Sequence, residues 1–341
     1  MTTFFEREIR AQGAVLARRA ESGREQALRV AESWRGVSYA LAAARGSSDN
    51  GAVFFQYFAG EELGLLVALA TPSLFEGKGT IGLDGAGVLA ISQSGRTPGL
   101  IDVIHRAVAQ GRPNAVITND RDSPLALAAE LVIDLAAGPE QAVASTKTFS
   151  STWHALAQLV EALKGQALEG LEELPGYVER TVAWALESNL PVESLNVAGG
   201  LTIVGRGVGQ AVAAEIALKI REVAGIRSES FAAPDYLHGP IGAGGDGSTL
   251  VLVATDEISD AVCHELLAES HRVGMRSVVI RPPDRTALAG DDEIVLVESA
   301  PNWCVGLAQV VVGQVLALRL GEARGRPIDS SPGLKKVTLS A

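Results

Sequence analysis

Tyr39-Ala40-Leu41-Ala42-Ala43-Ala44-Arg45-Gly46-Ser47-Ser48 is the stretch on which the fold turns. Residues 39–44 carry no charge and read as a strand buried on both faces. It ends in Arg45-Gly46-Ser47-Ser48, and a helix follows from about Gly51 to Ala59. The same order recurs downstream. Strand Gly87 to Ile91 ends in Ser92-Gln93-Ser94-Gly95-Arg96-Thr97. The next helix has Pro98 in its first turn, where proline is tolerated, and runs to about Gln110. Strands Asn114 to Thr118 and Leu131 to Leu135 complete the first half. Strands alternating with helices predict a parallel sheet covered by helices on both faces, a three-layer α/β architecture.

A second half repeats this outline. Strand Leu201 to Val204 ends in Gly205-Arg206-Gly207, and strands Leu250 to Ala254, Ser277 to Ile280 and Glu293 to Val297 follow. Helices are expected at Ser259 to Val273 and Cys304 to Leu320. Two such halves suggest duplication, with a site shared between halves or between subunits. The domain plan is a helical segment over 1–34, an α/β domain over 35–168 and a connecting segment with one helix over 169–189. A second α/β domain over 190–325 and a tail over 326–341 complete it. Gly138-Pro139-Glu140 interrupts the first pattern and Val143-Ala144-Ser145-Thr146-Lys147 leads into a helix from about Thr148 to Leu163.

Composition narrows the function. A formal net charge of −11 argues against a general nucleic-acid-binding surface. Cys263 and Cys304 are too few for a disulfide framework or a thiolate zinc site, which fits a reducing cytoplasm. Met1-Thr2-Thr3-Phe4-Phe5-Glu6-Arg7-Glu8 has no basic-then-apolar pattern of a signal peptide. No uncharged apolar run is read as approaching a bilayer span, so no membrane association is expected. His105, His154, His264 and His271 fall at helical positions without metal-ligand spacing, and are read as structural or solvated. Neither a metal nor a cofactor is expected. There is no GxxxxGK[ST] loop, and Gly205-Arg206-Gly207-Val208-Gly209 places its third glycine one position too early for a dinucleotide turn.

Two groups of residues carry chemistry. Gly46-Ser47-Ser48 and Ser92-Gln93-Ser94-Gly95 with Thr97 stand at the carboxyl ends of strands, where open parallel sheets bind ligands. Both run into helix N-termini, whose free N–H groups and positive dipole end favour an anion. Hydroxyls add donors, which suits a phosphomonoester held without a metal. The rival explanation makes Ser48 and Ser94 ordinary helix N-caps. The second group lies on the helix through Ala217-Leu218-Lys219-Ile220-Arg221-Glu222. Ala211, Ala214, Leu218 and Val223 follow a buried helical stripe, and the helix is expected to end near Gly225. Glu215, Lys219 and Glu222 share another face, which could equally be a solvated ion pair. Beyond Gly225 the chain is expected to run irregularly to His238, with Gly239-Pro240 fixing a turn.

The blocks Ser92 to Thr97, Val143 to Lys147, Lys219 to Glu222, His238-Gly239-Pro240 and Leu334-Lys335-Lys336-Val337-Thr338 occur in one order. That order resembles the sugar isomerase (SIS) family, in particular its tandem amino-sugar branch and the isomerase domain of glucosamine-6-phosphate synthase. The resemblance implies two SIS domains on the chain and no cofactor. It implies that Ser48, Ser92, Gln93, Ser94 and Thr97 hold a sugar phosphate, with Val143 and Ser145 against the sugar. Glu222 would move a proton between C1 and C2, and Lys219 would aid ring opening or stabilise the enediolate. His238 would act in ring opening from the neighbouring subunit of a homodimer. A tail lysine would lie over the sugar: anchoring on Leu334 selects Lys336, whereas anchoring on Val337-Thr338 selects Lys335. Asp235 stands where the family usually has glutamate, and Lys147 has no evident chemical role. The synthase's glutaminase domain has an N-terminal cysteine nucleophile, whereas no cysteine precedes Cys263 here. The expected function is therefore conversion of glucosamine 6-phosphate to fructose 6-phosphate and ammonia. The alternatives are a fructosamine-phosphate deglycase, a galactosamine-6-phosphate deaminase/isomerase and, from another class, a non-catalytic sugar-phosphate regulator.

Overall fold

The alanine-rich run at 39–44 becomes an inner strand of a parallel sheet, where small side chains on both faces let helices approach closely. In the computed structural model, residues 2–77, 81–255, 258–331, 333 and 336 are described. The first sheet comprises β1 (Tyr39–Ala44), β2 (Val67–Leu69), β3 (Ala86–Ile91), β4 (Asn114–Thr118) and β5 (Leu131–Asp134). Its order is β2-β1-β3-β4-β5. The second comprises β6 (Gly200–Gly205), β7 (Ser228–Ala232), β8 (Ser248–Val253), β9 (Arg276–Arg281) and β10 (Asp292–Val295), in the order β7-β6-β8-β9-β10. Every pairing is parallel. The two topologies are identical, as the repeated pattern predicts. In each, the order reverses direction beside the first strand, and right-handed crossovers to either side put helices on opposite faces.

The chain divides into two compact units with one sheet apiece. The first unit holds Ala14–Glu140, Lys147–Glu172 and, from the carboxy terminus, Lys336. The second holds Met1–Gly13, Gln141–Thr146 and Glu173–Leu334. The expected amino-terminal helix is two helices, Phe4–Arg10 and Gln12–Ser33, interrupted at Ala11.

One face of the first sheet packs Leu41, Val88, Ala90 and Val116 against Leu100, Val103, Ile104 and Ala107 of helix Pro98–Ala109. In the second sheet Leu250, Leu252 and Ala254 meet Cys263, Leu266 and Leu267 of helix Asp260–Arg272. Each such aliphatic side chain contributes about 1.5–3 kcal/mol by burial. Cys263 and Cys304 are both buried, and neither is in a disulfide.

Three expectations are corrected. The edge strands β2 and β7 are not evident in the pattern: β2 has three residues, and of β7 only Ser228 is fully buried. Accordingly, the region after Gly225 is not irregular but forms β7 and then the short helix Ala233–Leu237. Helix Asn302–Ala323 is long and apolar enough to cross a bilayer by length and composition alone, contrary to the sequence expectation. Its most apolar window is 94% buried inside the fold, so it serves as a core helix.

Corresponding glycines open the first helix of each half. Gly46 has φ 61° and ψ −134°, and Gly207 has φ 57° and ψ −131°. Only glycine adopts that geometry without strain. It turns the chain sharply from β1 or β6 into a helix and directs the helix N-terminus at the carboxyl edge of the sheet.

The first unit also buries an arginine. Arg19 is wholly enclosed, and its Nη1 donates to His154 Nδ1 at 3.0 Å and to Gln158 Oε1 at 2.9 Å. Burial lowers the Arg19 guanidinium to about 10. Burial, then the charges of Arg19 and Arg24, hold His154 well below the usual imidazole range. His154 is therefore a neutral core acceptor, in line with its structural reading from sequence.

Candidate active site

The first unit presents its hydroxyl-rich loops side by side. β1 and β3 are neighbours, with Ala44 opposite Ile91, so the loops leaving them share the crevice where strand order reverses. This is where open α/β sheets bind ligands. Ser48 lies half-buried in the first turn of helix Ser47–Leu63. The carbonyl of Gly46 accepts from Asp49 N at 2.9 Å and Asn50 N at 3.2 Å, so the N-cap is Gly46 and not Ser48.

The second loop is tightly stitched. Ser92 Oγ accepts from Gly95 N at 3.1 Å and lies 3.1 Å from Thr97 Oγ1. Gln93 O accepts from Asn119 N at 3.0 Å, and Gly95 O from Leu125 N at 3.1 Å. Gly95 has φ 60°, and a β-carbon there would stand 1.9 Å from Ser123 Oγ. Ser94 Oγ accepts from Arg96 N at 3.3 Å within the loop. The N-cap of helix Pro98–Ala109 is Thr97, whose side chain makes no capping bond. Helix capping thus accounts for neither Ser48 nor Ser94.

In the second unit, helix Val208–Lys219 gives way to a π-helical turn over Ile220–Ala224, closed by Gly225 in the left-handed conformation at φ 64°. π turns are rare and are frequently found at functional sites. Glu222 sits inside this turn. The expected apolar stripe is displaced: Ala214 and Leu218 are the half-exposed positions, whereas Glu215 and Lys219 are 0% and 1% exposed. The helix is enclosed on nearly all sides, so the charged face is a buried cluster rather than a solvated one. Lys219 Nζ donates to Glu222 Oε2 and lies 3.5 Å from Glu215 Oε1. Glu222 is 21% exposed at its side chain, so one end of the cluster reaches solvent. Ser331 Oγ donates to the Glu222 carbonyl at 2.7 Å and fixes the turn from outside. His238 caps helix Ala233–Leu237 and is exposed, as is Asp235.

Val143 and Ser145 belong to a half-buried segment of the second unit. Val143 N donates to Asp329 O at 3.2 Å. The Asp329 carboxylate accepts from Phe4 N and Phe5 N, both at 2.9 Å, at the start of the first helix. Glu8 of that helix accepts from Gln141 N and from Ala142 N, the latter at 3.3 Å. Glu8 and Asp329 were not singled out in the sequence; their partners lie far along the chain and leave no local pattern.

In the first unit Lys147 Nζ donates to Pro139 O at 2.7 Å, an architectural tie for a lysine without an evident chemical role. Glu140 accepts from Thr148 N at 3.1 Å, Thr148 Oγ1 at 2.6 Å and Lys336 Nζ at 2.6 Å. Lys335 lies outside the described residues. Among the described residues no group of three His, Cys, Asp or Glu is placed to hold a metal.

The chain is similar to known proteins. The SIS domain family model matches residues 44–162. A glutamine–fructose-6-phosphate aminotransferase (isomerizing) of Streptomyces coelicolor is 31% identical over 266 residues, covering 73% of this chain and 43% of that protein. Its counterpart in Halobacterium salinarum is 28% identical over 317 residues, covering 89% of this chain and 52% of that protein. The chain thus spans about half the length of these relatives. A candidate phosphosugar isomerase of Silicibacter pomeroyi DSS-3 superposes with a TM-score of 0.83 at 29% identity, covering 96% of this chain and 99% of the other. Glucosamine-6-phosphate deaminase of Thermotoga maritima shares the fold, with a TM-score of 0.79 at 21% identity and coverage of 98% and 99%. The chain therefore carries a SIS domain and is homologous to the isomerase domain of the fructose-6-phosphate aminotransferases.

Proposed function

We propose that this protein is a phosphosugar aldose–ketose isomerase and deaminase with a tandem pair of SIS-like halves. Its proposed reaction converts glucosamine 6-phosphate to fructose 6-phosphate and ammonia. The observation that carries the proposal is the buried Glu215–Lys219–Glu222 cluster, whose outer carboxylate sits at a π turn and reaches solvent. A carboxylate held by an enclosed ammonium suits proton transfer next to a carbonyl or imine.

In the proposed chemistry the ring opens to the C1 aldehyde, assisted by His238. Glu222 removes the C2 proton, giving an enolamine, and returns a proton to C1. The product is the C2 imine of fructose 6-phosphate. Water adds to C2, ammonia leaves, and the ketone remains. Lys219 stabilises the charge that develops on the enolamine oxygen. Ser48, Ser92, Gln93, Ser94 and Thr97 grip the phosphate, with Val143 and Ser145 against the sugar. The phosphate grip supplies binding energy remote from the reacting carbons. The proposed assembly is a homodimer in which His238 serves the neighbouring subunit, a role compatible with its exposure.

Incubation with glucosamine, galactosamine and fructosamine phosphates, assayed for ammonia and ketose phosphate, tests the activity. Release of both products from glucosamine 6-phosphate is expected; no release from any of them overturns the enzymatic reading. Mixing inactive Glu222→Gln and His238→Ala chains tests the shared site. Activity should return in part, and failure after verified subunit exchange refutes sharing.

A further inference from the structure

We propose that Glu140 is a positioning residue that docks the carboxy-terminal segment by holding Lys336, making Lys336 a tether rather than a reacting amine. Glu140 has a wholly buried side chain, and Thr148 holds its carboxylate by a backbone and a hydroxyl donor, at 3.1 and 2.6 Å. Thr148 lies in the first turn of helix Lys147–Lys164, whose positive end favours an anion. A seat for a cation is thus built into the sheet-bearing part of the unit. Lys147, the basic residue closest in sequence, is committed to the Pro139 carbonyl. The cation that reaches Glu140 comes from 196 residues away: Lys336 Nζ donates to Oε2 at 2.6 Å, with its side chain 21% exposed. A charge-assisted bond to an enclosed carboxylate is stronger than a surface ion pair. An ammonium engaged in this way anchors the chain; a nucleophilic amine needs its lone pair free.

Hydrogen exchange of the full-length protein, read by mass spectrometry over residues 330–341, tests the tether without any substrate. Lys336→Met and Glu140→Gln should each speed exchange about tenfold or more, the scale of one charge-assisted hydrogen bond. The double variant should exchange no faster than the faster single one, because both remove the same contact. Lys336→Arg should retain protection. An unprotected tail in the wild type, or wild-type exchange in Lys336→Met, overturns the proposal and leaves Glu140 as a cap for its helix alone. In turnover, Lys336→Met should lower kcat/KM in step with lost protection, and Lys336→Arg should preserve it. Lost turnover with a fully protected tail places Lys336 in the chemistry and also overturns the proposal. The exchange results stand even if the substrate is another sugar phosphate.

Discussion

Replacing Lys219 by methionine separates the structural from the chemical share of the buried cluster. Lys219 is 1% exposed and Glu215 is 0% exposed, so the variant leaves an enclosed carboxylate without its ammonium. Breaking a buried ion pair by removing one partner costs about 3–5 kcal/mol. At about 2–4 °C per kcal/mol for units of this size, melting should fall by roughly 6–20 °C. Glu215→Met with Lys219→Met should recover most of the stability, since an apolar pair of similar volume replaces a buried ion pair at little cost. Turnover should not recover, because Glu222 still lacks its ammonium. Calorimetry of the three proteins between about pH 5 and pH 8, the span in which folded proteins are usually most stable, is the assay. An unchanged melting temperature in Lys219→Met would refute the desolvated cluster.

Further outcomes follow from other parts of the molecule. Glu222→Gln should keep phosphate-ester binding and lose about 10²–10⁴-fold in rate, as for loss of a general base, checked by calorimetric titration and steady-state kinetics. Ser94→Ala and Thr97→Ala should each raise KM by the equivalent of one hydrogen bond to a charged group, about 1.5–3 kcal/mol. Melting should change little, because neither side chain caps a helix; a stability loss with unchanged KM would reverse the assignment. His154 is held neutral in the fold and takes up a proton on unfolding, so its stabilising share is present above the unfolded imidazole pKa and lost as pH falls. Below about pH 6.5 this contributes up to about 1.4 kcal/mol per pH unit, and His154→Gln should flatten the decline of melting temperature between pH 7 and pH 5.

The inner strands were legible because runs such as 39–44 and 250–254 are uncharged and bounded by loops. The edge strands β2 and β7 were not, since β2 is too short for a period and Ser228–Ala232 has one fully buried position. The serine loops could be read because hydroxyls at a strand-to-helix junction have a local meaning. Lys219 and Glu222 could be placed together, but their depth could not: a helix buried all round exposes no polar face to orient the pattern. The π turn, the Glu8 and Asp329 ties and the Glu140 seat depend on partners remote in sequence. Local spacing carries no trace of them.

The π turn over Ile220–Ala224 gives this chain an unusual sensitivity to loss of a single residue. A helix normally resists deletion because the remaining turns fall out of register with the core. Here the widened turn holds one residue more than an α-helix accommodates, so removing Ile220 or Arg221 would let the backbone relax to its commoner form. The same deletion would leave the lysine and the glutamate two positions apart, where helical side chains do not face each other. A frame-preserving deletion at this point would thus favour the helix while parting the proposed base from its ammonium. On the function proposed above, a protein of this build with the helix shortened here should still bind sugar phosphate and lose turnover, which binding and kinetic assays of the deletion variant would check.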